Sequence, residues 1–259
     1  MTGDDHVLAR DLAGQAGQRL LGLRAQGGDP DVLRKAGDRL SHEFLTAALA
    51  ALRPGDVVLS EEGADNPARL GARRVWIVDP LDGTREFGEP GRTDWAVHVA
   101  LWEKGDVSGP GDLTAGAVAL PAQGTVLSTL EPRAPLPGGA ASGRIRIVVS
   151  RSRPPGFVRN ISGLIDAELV PLGSAGAKVA AVVCGEVDAY VHGGGFYEWD
   201  TAAPVAVARA AGLHASRIDG SALVYNQPDL LMPDILVCRP ALAGVLLQAI
   251  REVTNASAS

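Results

Sequence analysis

The sequence predicts a layered α/β (α+β) sandwich built from two intimately packed halves. Three observations lead there. Short apolar strand signals alternate with segments of helical apolar spacing on both sides of the chain's middle. The strongest shift in composition, EPRAPLPGGAASG at 131–143, separates the two sides as a linker. A chain of 259 residues, 46% hydrophobic and 21% charged, hides about seven tenths of its unfolded surface, enough for a core without disulfides. We therefore expect an N-terminal α+β half at 1–137 and a C-terminal α/β half at 144–259.

In the first half, Val7, Leu8, Leu12, Ala16, Leu20, Leu21 and Leu23 recur at helical spacing, and Gly27-Gly28-Asp29-Pro30 breaks that helix. A second helix is expected over 38–52, with Phe44, Leu45, Ala48 and Leu49 inward. VVLS (57–60) and VWIV (75–78) read as short buried strands. DWAVHVALW (94–102) alternates, with Trp95, Val97, Val99 and Leu101 facing one way and Ala96, His98 and Ala100 the other. AGAVALP and GTVLST follow as a strand pair joined by a Pro/Gly turn. In the second half, RIRIVVS (144–150), DAYVH (188–192) and DILVCR (234–239) read as strands. Helices are expected at 176–186, at 201–212 and over the closing apolar run 241–250.

A formal net charge of −6 gives no electrostatic footprint for a nucleic acid polymer or an anionic membrane. Two cysteines, Cys184 and Cys238, both in apolar stretches, read as small buried hydrophobes in a reducing compartment. The beginning MTGDDHVLARD is acidic where a signal peptide is basic, and the longest apolar run is too short for a bilayer. A cytoplasmic protein is the expectation, and a homodimer is left open.

Three acidic groups follow predicted strands or open a helix: Glu61-Glu62, then Asp79 and Asp82 in VDPLDGT, then Asp200 in EWDTAAP. Each has an ordinary alternative. Paired glutamates make solvated turns, DPLDG contains common turn chemistry, and Asp200 before Thr201 can cap a helix. Together they favour a hard divalent cation, because such ions need several carboxylate oxygens converging on one point. The set holds no thiolate and no obligatory imidazole, which points to Mg²⁺ or Mn²⁺ rather than zinc. Gly83 and Thr84 add backbone amides at a loop-to-helix junction, where a phosphate binds readily. Carboxylates for metal beside amides for phosphate point to metal-assisted hydrolysis of a phosphate ester.

HGGG at 192–195 is reminiscent of an esterase oxyanion loop, but the chain has no G-x-S-x-G elbow, and it has no P-loop. His98 reads as a strand histidine facing a packed neighbour. His42, His192 and His214 lack metal-type spacing.

WIVDPLDGT, with SEE upstream and WDTAAP downstream, resembles the inositol monophosphatase superfamily of metal-dependent, lithium-sensitive phosphatases over about residues 30–240. Inositol monophosphatases usually carry Thr-Asn after the DGT, and fructose bisphosphatases a DGS followed by Ser-Asn. Arg85-Glu86-Phe87 is instead similar to the 3′(2′),5′-bisphosphate nucleotidases of the CysQ type. The resemblance implies an inositol-monophosphatase-like fold with two or three Mg²⁺ ions. It assigns Glu61, Asp79 and the Leu81 carbonyl to one metal, and Asp79, Asp82 and Asp200 to another. Asp38, preceded by Gly37 where the family has alanine, matches the aspartate that pairs with the DGT threonine, Thr84, to orient the attacking water. A helix N-cap is the alternative for Asp38.

Leu81, Asp82, Gly83, Thr84, Arg85 and Asp200 would also touch substrate. GSAGAK (173–178) resembles the family's substrate loop, with Ser174 and Lys178 toward the nucleotide, although its spacing exceeds the GSS-x-K of the nucleotidases by one residue. Ser150-Arg151-Ser152 resembles a family SRS stretch, with a surface basic patch as the alternative, and Arg85 is alternatively a solvated partner of Glu86 or Glu89. The implied activity removes the 3′-phosphate of 3′-phosphoadenosine 5′-phosphate, in sulfate assimilation. Inositol 1-phosphate and fructose 1,6-bisphosphate are the rival substrates. A non-catalytic nucleotide or metal sensor is the rival of another class.

Overall fold

The structure is a computed structural model that describes residues 4–105, 111–134, 143–152 and 154–257. Helix α1 (Asp5–Ala25) starts where the Asp4 carboxylate accepts the His6 amide, and it buries Ala9, Leu12, Ala13, Ala16 and Leu20 along one stripe. Helix α2 (Pro30–Leu52) begins well before the expected Asp38. Asp29 caps it by accepting the Asp31 and Val32 amides, and Pro30 supplies the preset φ of a first helical residue. Asp38 therefore lies inside α2, and its N-cap alternative is excluded.

Strand β1 (Val57–Ser60) pairs in parallel with β2 (Arg74–Asp82). β2 runs on through Asp79-Pro80-Leu81-Asp82, so this stretch is the irregular end of a strand rather than the loop after one. Gly83, at φ +84°, turns the chain into the short helix α3 (Thr84–Gly88), a left-handed conformation that favours glycine. Strands β3 (Ala96–Glu103), β4 (Asp112–Leu120) and β5 (Thr125–Ser128) complete a sheet in the order β1-β2-β3-β4-β5. The strand pair expected at AGAVALP and GTVLST is β4 and β5, joined by a 3₁₀ turn at Pro121–Gln123.

The Gly/Pro stretch at 131–143 follows this sheet, and its residues 135–142 lie outside the described residues. Then come β6 (Arg146–Ser150), α4 (Gly156–Leu164), β7 (Glu168–Leu172), α5 (Ala175–Val183), β8 (Ala189–His192), β9 (Phe196–Tyr197), α6 (Glu198–Ala210), β10 (His214–Ser216), β11 (Leu231–Met232), β12 (Ile235–Cys238) and α7 (Pro240–Ser257). The second sheet has the order β10-β12-β8-β6-β7, and β9 and β11 form a separate antiparallel pair.

The apolar clusters define the layers. Leu12, Leu45, Trp76, Val97, Val99 and Leu101 join α1 and α2 to one face of the first sheet. Ile77, Ala96, Ala100, Val179, Val205 and Val237 join its other face through α5 and α6 to the second sheet. Ile147, Val158, Leu236 and Leu246 pack α4 and α7 on the far side of that sheet. The alternation read along β3 is thus two buried faces, one toward α1 and α2, the other toward α5 and α6. Cys238 is buried, Cys184 is half-buried, and both thiols are free. No helix among the described residues is long and apolar enough to cross a membrane.

Candidate metal centre and active site

Residues 79 and 82 differ in parity, so a regular strand would send their side chains to opposite faces. The register of β2 against β3 shifts between Asp79 and Asp82, and that irregularity, beside Pro80, re-aims them. Asp200 arrives from the first turn of α6, where its Oδ2 accepts the Tyr197 amide at 2.6 Å. One carboxylate oxygen each of Asp79, Asp82 and Asp200 lies within 4.8 Å of the others. Glu61, at the turn after β1, stands beside them, close enough for its carboxyl group and that of Asp79 to perturb each other.

The energetics of this cluster are those of crowded anions. Burial, then the charges of Glu61, Asp82 and Asp200, push Asp79 well above the usual carboxylate range. Burial and the Asp200 charge raise Glu61 to about 7, although part of its surface is exposed. Burial and the Asp82 charge raise Asp200 to about 6. Asp82 is the exception. Burial would raise it, but His98, Lys178 and the Gly176 amide outweigh burial and hold it below the usual value. Its oxygens accept the Ala175 and Gly176 amides at 3.2 and 2.6 Å, so the start of α5 faces this carboxylate.

These residues fit a divalent cation. The donors are all oxygens, which suits Mg²⁺ or Mn²⁺. Asp79 Oδ1 accepts the Leu81 amide at 3.0 Å, while the buried Oδ2 has no partner among the described residues. A buried carboxylate oxygen left without a donor, among other carboxylates, is what a cation satisfies. The Leu81 carbonyl accepts a hydrogen bond from Thr84 Oγ1 at 3.0 Å.

Asp38 comes to the site from the middle of α2, and Thr84 Oγ1 lies 3.2 Å from its Oδ1. Burial and Glu62 raise Asp38 to about 6 against the lowering effect of the Thr84 bond. Next to the carboxylates opens a cavity of about 400 Å³ lined by Asp82, Asp200, Lys178, Ser150, Tyr190, the 193–195 glycines and the aromatic rings of Phe157, His192 and Phe196. Lys178 is 4% exposed, donates to the Gly173 carbonyl and lies 5.4 Å from the Tyr190 ring centroid. Burial lowers its pKa despite the surrounding carboxylates. Ser174 caps α5 by accepting the Ala177 amide at 2.9 Å. Arg85 is exposed, and Glu86 and Glu89 are both engaged by Arg151, at 2.8 and 2.9 Å. Phe87 meets Trp95 edge-on with ring centroids 5.0 Å apart.

The sequence reading missed the part played by His98. It is fully buried, its Nε2 is 3.1 Å from Asp82 Oδ2, and its Nδ1 is 3.1 Å from the Trp199 carbonyl. The Asp82 contact is off the axis of a good hydrogen bond, so it works as a charge contact. Burial opposes the charged imidazole, but the Asp82 carboxylate prevails and raises His98 above its usual value. The available signal was parity, since His98 shares a face of β3 with Ala96 and Ala100.

A family model described as the inositol monophosphatase family matches residues 9–255. The chain belongs to this family. Among its relatives, a 3′-phosphoadenosine 5′-phosphate phosphatase of Mycobacterium leprae is 52% identical, over 96% of this chain and 94% of that one. The 3′(2′),5′-bisphosphate nucleotidase CysQ of Escherichia coli is 31% identical over 74% of this chain and 78% of its own length. The crystal structure of CysQ from Bacteroides thetaiotaomicron superposes with a TM-score of 0.77 at 28% identity, covering 91% of this chain and 97% of that one. The inositol monophosphatase family is metal-dependent, and in this chain Asp79, Asp82 and Asp200 form an acidic cluster that could hold a metal ion.

Proposed function

We propose that this chain is a Mg²⁺-dependent phosphatase that hydrolyses the 3′-phosphate of 3′-phosphoadenosine 5′-phosphate to give AMP and phosphate. Its 52% identity to a phosphatase of that name, over nearly the whole length of both chains, supports the substrate. The observation that carries the chemistry is the buried Asp79–Asp82–Asp200 cluster, with a partnerless Asp79 oxygen, beside a cavity that holds Lys178.

Glu61, Asp79, the Leu81 carbonyl, Asp82 and Asp200 would hold two or three Mg²⁺ ions, with Mn²⁺ as a substitute. When bound, such ions supply charge neutralisation, activation of water and stabilisation of the leaving oxygen. The remaining work belongs to the chain. The Thr84 hydroxyl donates a hydrogen bond to Asp38 Oδ1 or to the Leu81 carbonyl, which leaves the Thr84 oxygen lone pairs to hold the attacking water in line. The amides of Gly83 and Thr84, at the first turn of α3, face the phosphate oxygens. Lys178 offers a positive charge to the substrate's second phosphate, and Ser150, at the end of β6, lines the same cavity, whereas Arg151 is held by Glu86 and Glu89. The water oxygen bonds to phosphorus as the P–O3′ bond breaks, and one of the two water protons ends on the leaving 3′-oxygen, which gives AMP with a free 3′-hydroxyl and monohydrogen phosphate.

Phosphate release from 3′-phosphoadenosine 5′-phosphate, inositol 1-phosphate and fructose 1,6-bisphosphate, with Mg²⁺, with Li⁺ and with excess chelator, tests this reading. The nucleotide should be preferred, lithium should inhibit, and chelator should abolish turnover. A preference for inositol 1-phosphate would replace the substrate assignment, and turnover in chelator would end the metal-dependent reading.

A further inference from the structure

Arg69 and Glu198 are 1% and 0% exposed, and neither touches the carboxylate cluster in the contacts described above. Two charged groups this deep are poor stabilisers, because desolvation offsets most of what their attraction contributes. Their geometry shows a different use. The Arg69 guanidinium holds Asp65 through Nε and Nη2, at 2.7 and 3.2 Å, and donates through Nη1 to Asn226 Oδ1 at 3.0 Å. Asn226 Nδ2 donates back to the Arg69 carbonyl at 3.0 Å. One amide thus reads both the side chain and the backbone of a residue 157 positions away. The backbone amides of Asn226 and Gln227 then donate to Glu198 Oε2 and Oε1, both at 2.7 Å. Asn226 adopts φ +59°, a left-handed conformation that asparagine tolerates better than most residues. The Glu198 amide donates to the Leu230 carbonyl at 3.0 Å.

The two ends of this network lie next to the metal centre along the chain. Arg69 lies in the 3₁₀ turn Pro67–Leu70, the regular part of the segment 61–73 that begins with Glu61 and joins β1 to β2. Glu198 opens α6 in the same turn as Asp200. Glu61 and Asp200 repel each other, so crowding alone would drive their segments apart until a cation is bound. We propose that Arg69, Asn226 and Glu198 form a clamp that sets the position of the Glu61 segment against the first turn of α6, and thereby sets the affinity of the centre for divalent cations. These are positioning residues: they act on the cation only through Glu61 and Asp200. The inference rests on the reading of Glu61 and Asp200 as metal ligands.

Calorimetric titration of the purified, chelator-treated chain with Mg²⁺ and Mn²⁺, without substrate, tests it. Asn226→Gly keeps the left-handed backbone and the amides that serve Glu198, but removes both contacts to Arg69. It should weaken cation binding about tenfold, the lower end of the range for groups that support metal ligands. Asn226→Asp retains an acceptor for Arg69 and should lose less affinity than Asn226→Gly. Val253→Ala, in the distant α7 cluster, serves as a stability control that should lower the Tm without moving cation affinity. Cation affinity of Asn226→Gly within twofold of the unsubstituted chain overturns the clamp. Should that variant lack a cooperative thermal transition, Arg69→Lys, which loses the guanidinium fork that holds both Asp65 and Asn226, decides by the same twofold criterion. An unsubstituted chain that takes up neither cation overturns the metal-ligand reading itself, and the clamp with it.

Discussion

Thr84 Oγ1 lies 3.2 Å from Asp38 Oδ1, a contact between residues 46 positions apart that joins the start of α3 to the middle of α2. The hydroxyl has one proton and two acceptors in range, Asp38 and the Leu81 carbonyl at 3.0 Å. Whichever takes the proton, the threonine oxygen lone pairs remain available to hold a water.

Thr84→Ala removes that oxygen while leaving every carboxylate of the cluster in place. Its kcat should fall roughly a hundredfold or more, the scale of lost positioning and proton transfer. Mg²⁺ affinity measured by calorimetry should barely change. Normal kcat in this variant would reduce the Asp38–Thr84 contact to a fastening between two helices.

The crowded carboxylates give the metal-free protein a characteristic pH dependence. Glu61 and Asp200, raised to about 7 and about 6, bind protons more tightly folded than unfolded. The stability they contribute is present in full below their unfolded values near 4, and is lost as pH rises through about 6 and about 7. In chelator, the Tm should therefore climb as pH is lowered from about 8 to about 5. A cation replaces those protons, so saturating Mg²⁺ should raise the Tm most at pH 8 and flatten the trend. Scanning calorimetry in both conditions decides, and a metal-free Tm that falls between pH 8 and pH 6 would contradict the crowding.

Much of this fold was legible because it follows from periodicity. The alternation from Trp95 to Leu101 identified a two-faced strand, and the helical spacing of Leu12, Ala16 and Leu20 identified α1. Helix α2 starts eight residues before Asp38 because Asp29-Pro30, which ends α1's pattern, is at once a cap and a first helical residue. Strand β7 and helix α4 escaped notice: β7 is short and contains Pro171, and α4 follows a proline-rich approach. At the site, the acidic residues were visible as types in a motif. That they share one metal site was expected from the motif; the shift in strand register that brings Asp79 and Asp82 to one point was not, because residue types do not encode it. Nor was the Glu198–Asn226–Arg69 network, whose members are unremarkable in sequence and distant from one another.

Gly176 is confined by the pairing of His98 with Asp82. A Cβ there would stand 2.1 Å from His98 Nε2 and 3.1 Å from Asp82 Oδ2. His98 is fully buried and bonded to Trp199, so it has little room to yield. Gly176→Ala should shift the start of α5 away from Asp82, costing about 1–3 kcal/mol of stability as overpacking does, and lowering kcat with it. Adding His98→Ala should recover part of the lost Tm by clearing the space. Equal Tm in the two variants would mean that His98 is not the obstacle.

Lys178 is the one lysine in the cavity beside the carboxylates, and its burial makes its charge costly unless an anion shares the space. A nucleotide with two phosphates offers such an anion in addition to the phosphate that reacts, and inositol 1-phosphate does not. Lys178→Met keeps most of the side chain's volume and removes the charge, so packing is disturbed less than by alanine. A charge-assisted contact is worth about 1.5–3 kcal/mol, roughly ten- to a hundredfold in kcat/KM. Efficiency on 3′-phosphoadenosine 5′-phosphate should fall by that factor, while hydrolysis of inositol 1-phosphate should change little. The ratio of the two kcat/KM values is the measurement, because a general loss of folded enzyme lowers both together. Equal losses on both substrates would place Lys178 among the groups that hold the reacting phosphate, and selectivity for the nucleotide would then have to come from the Phe157, His192 and Phe196 side of the cavity.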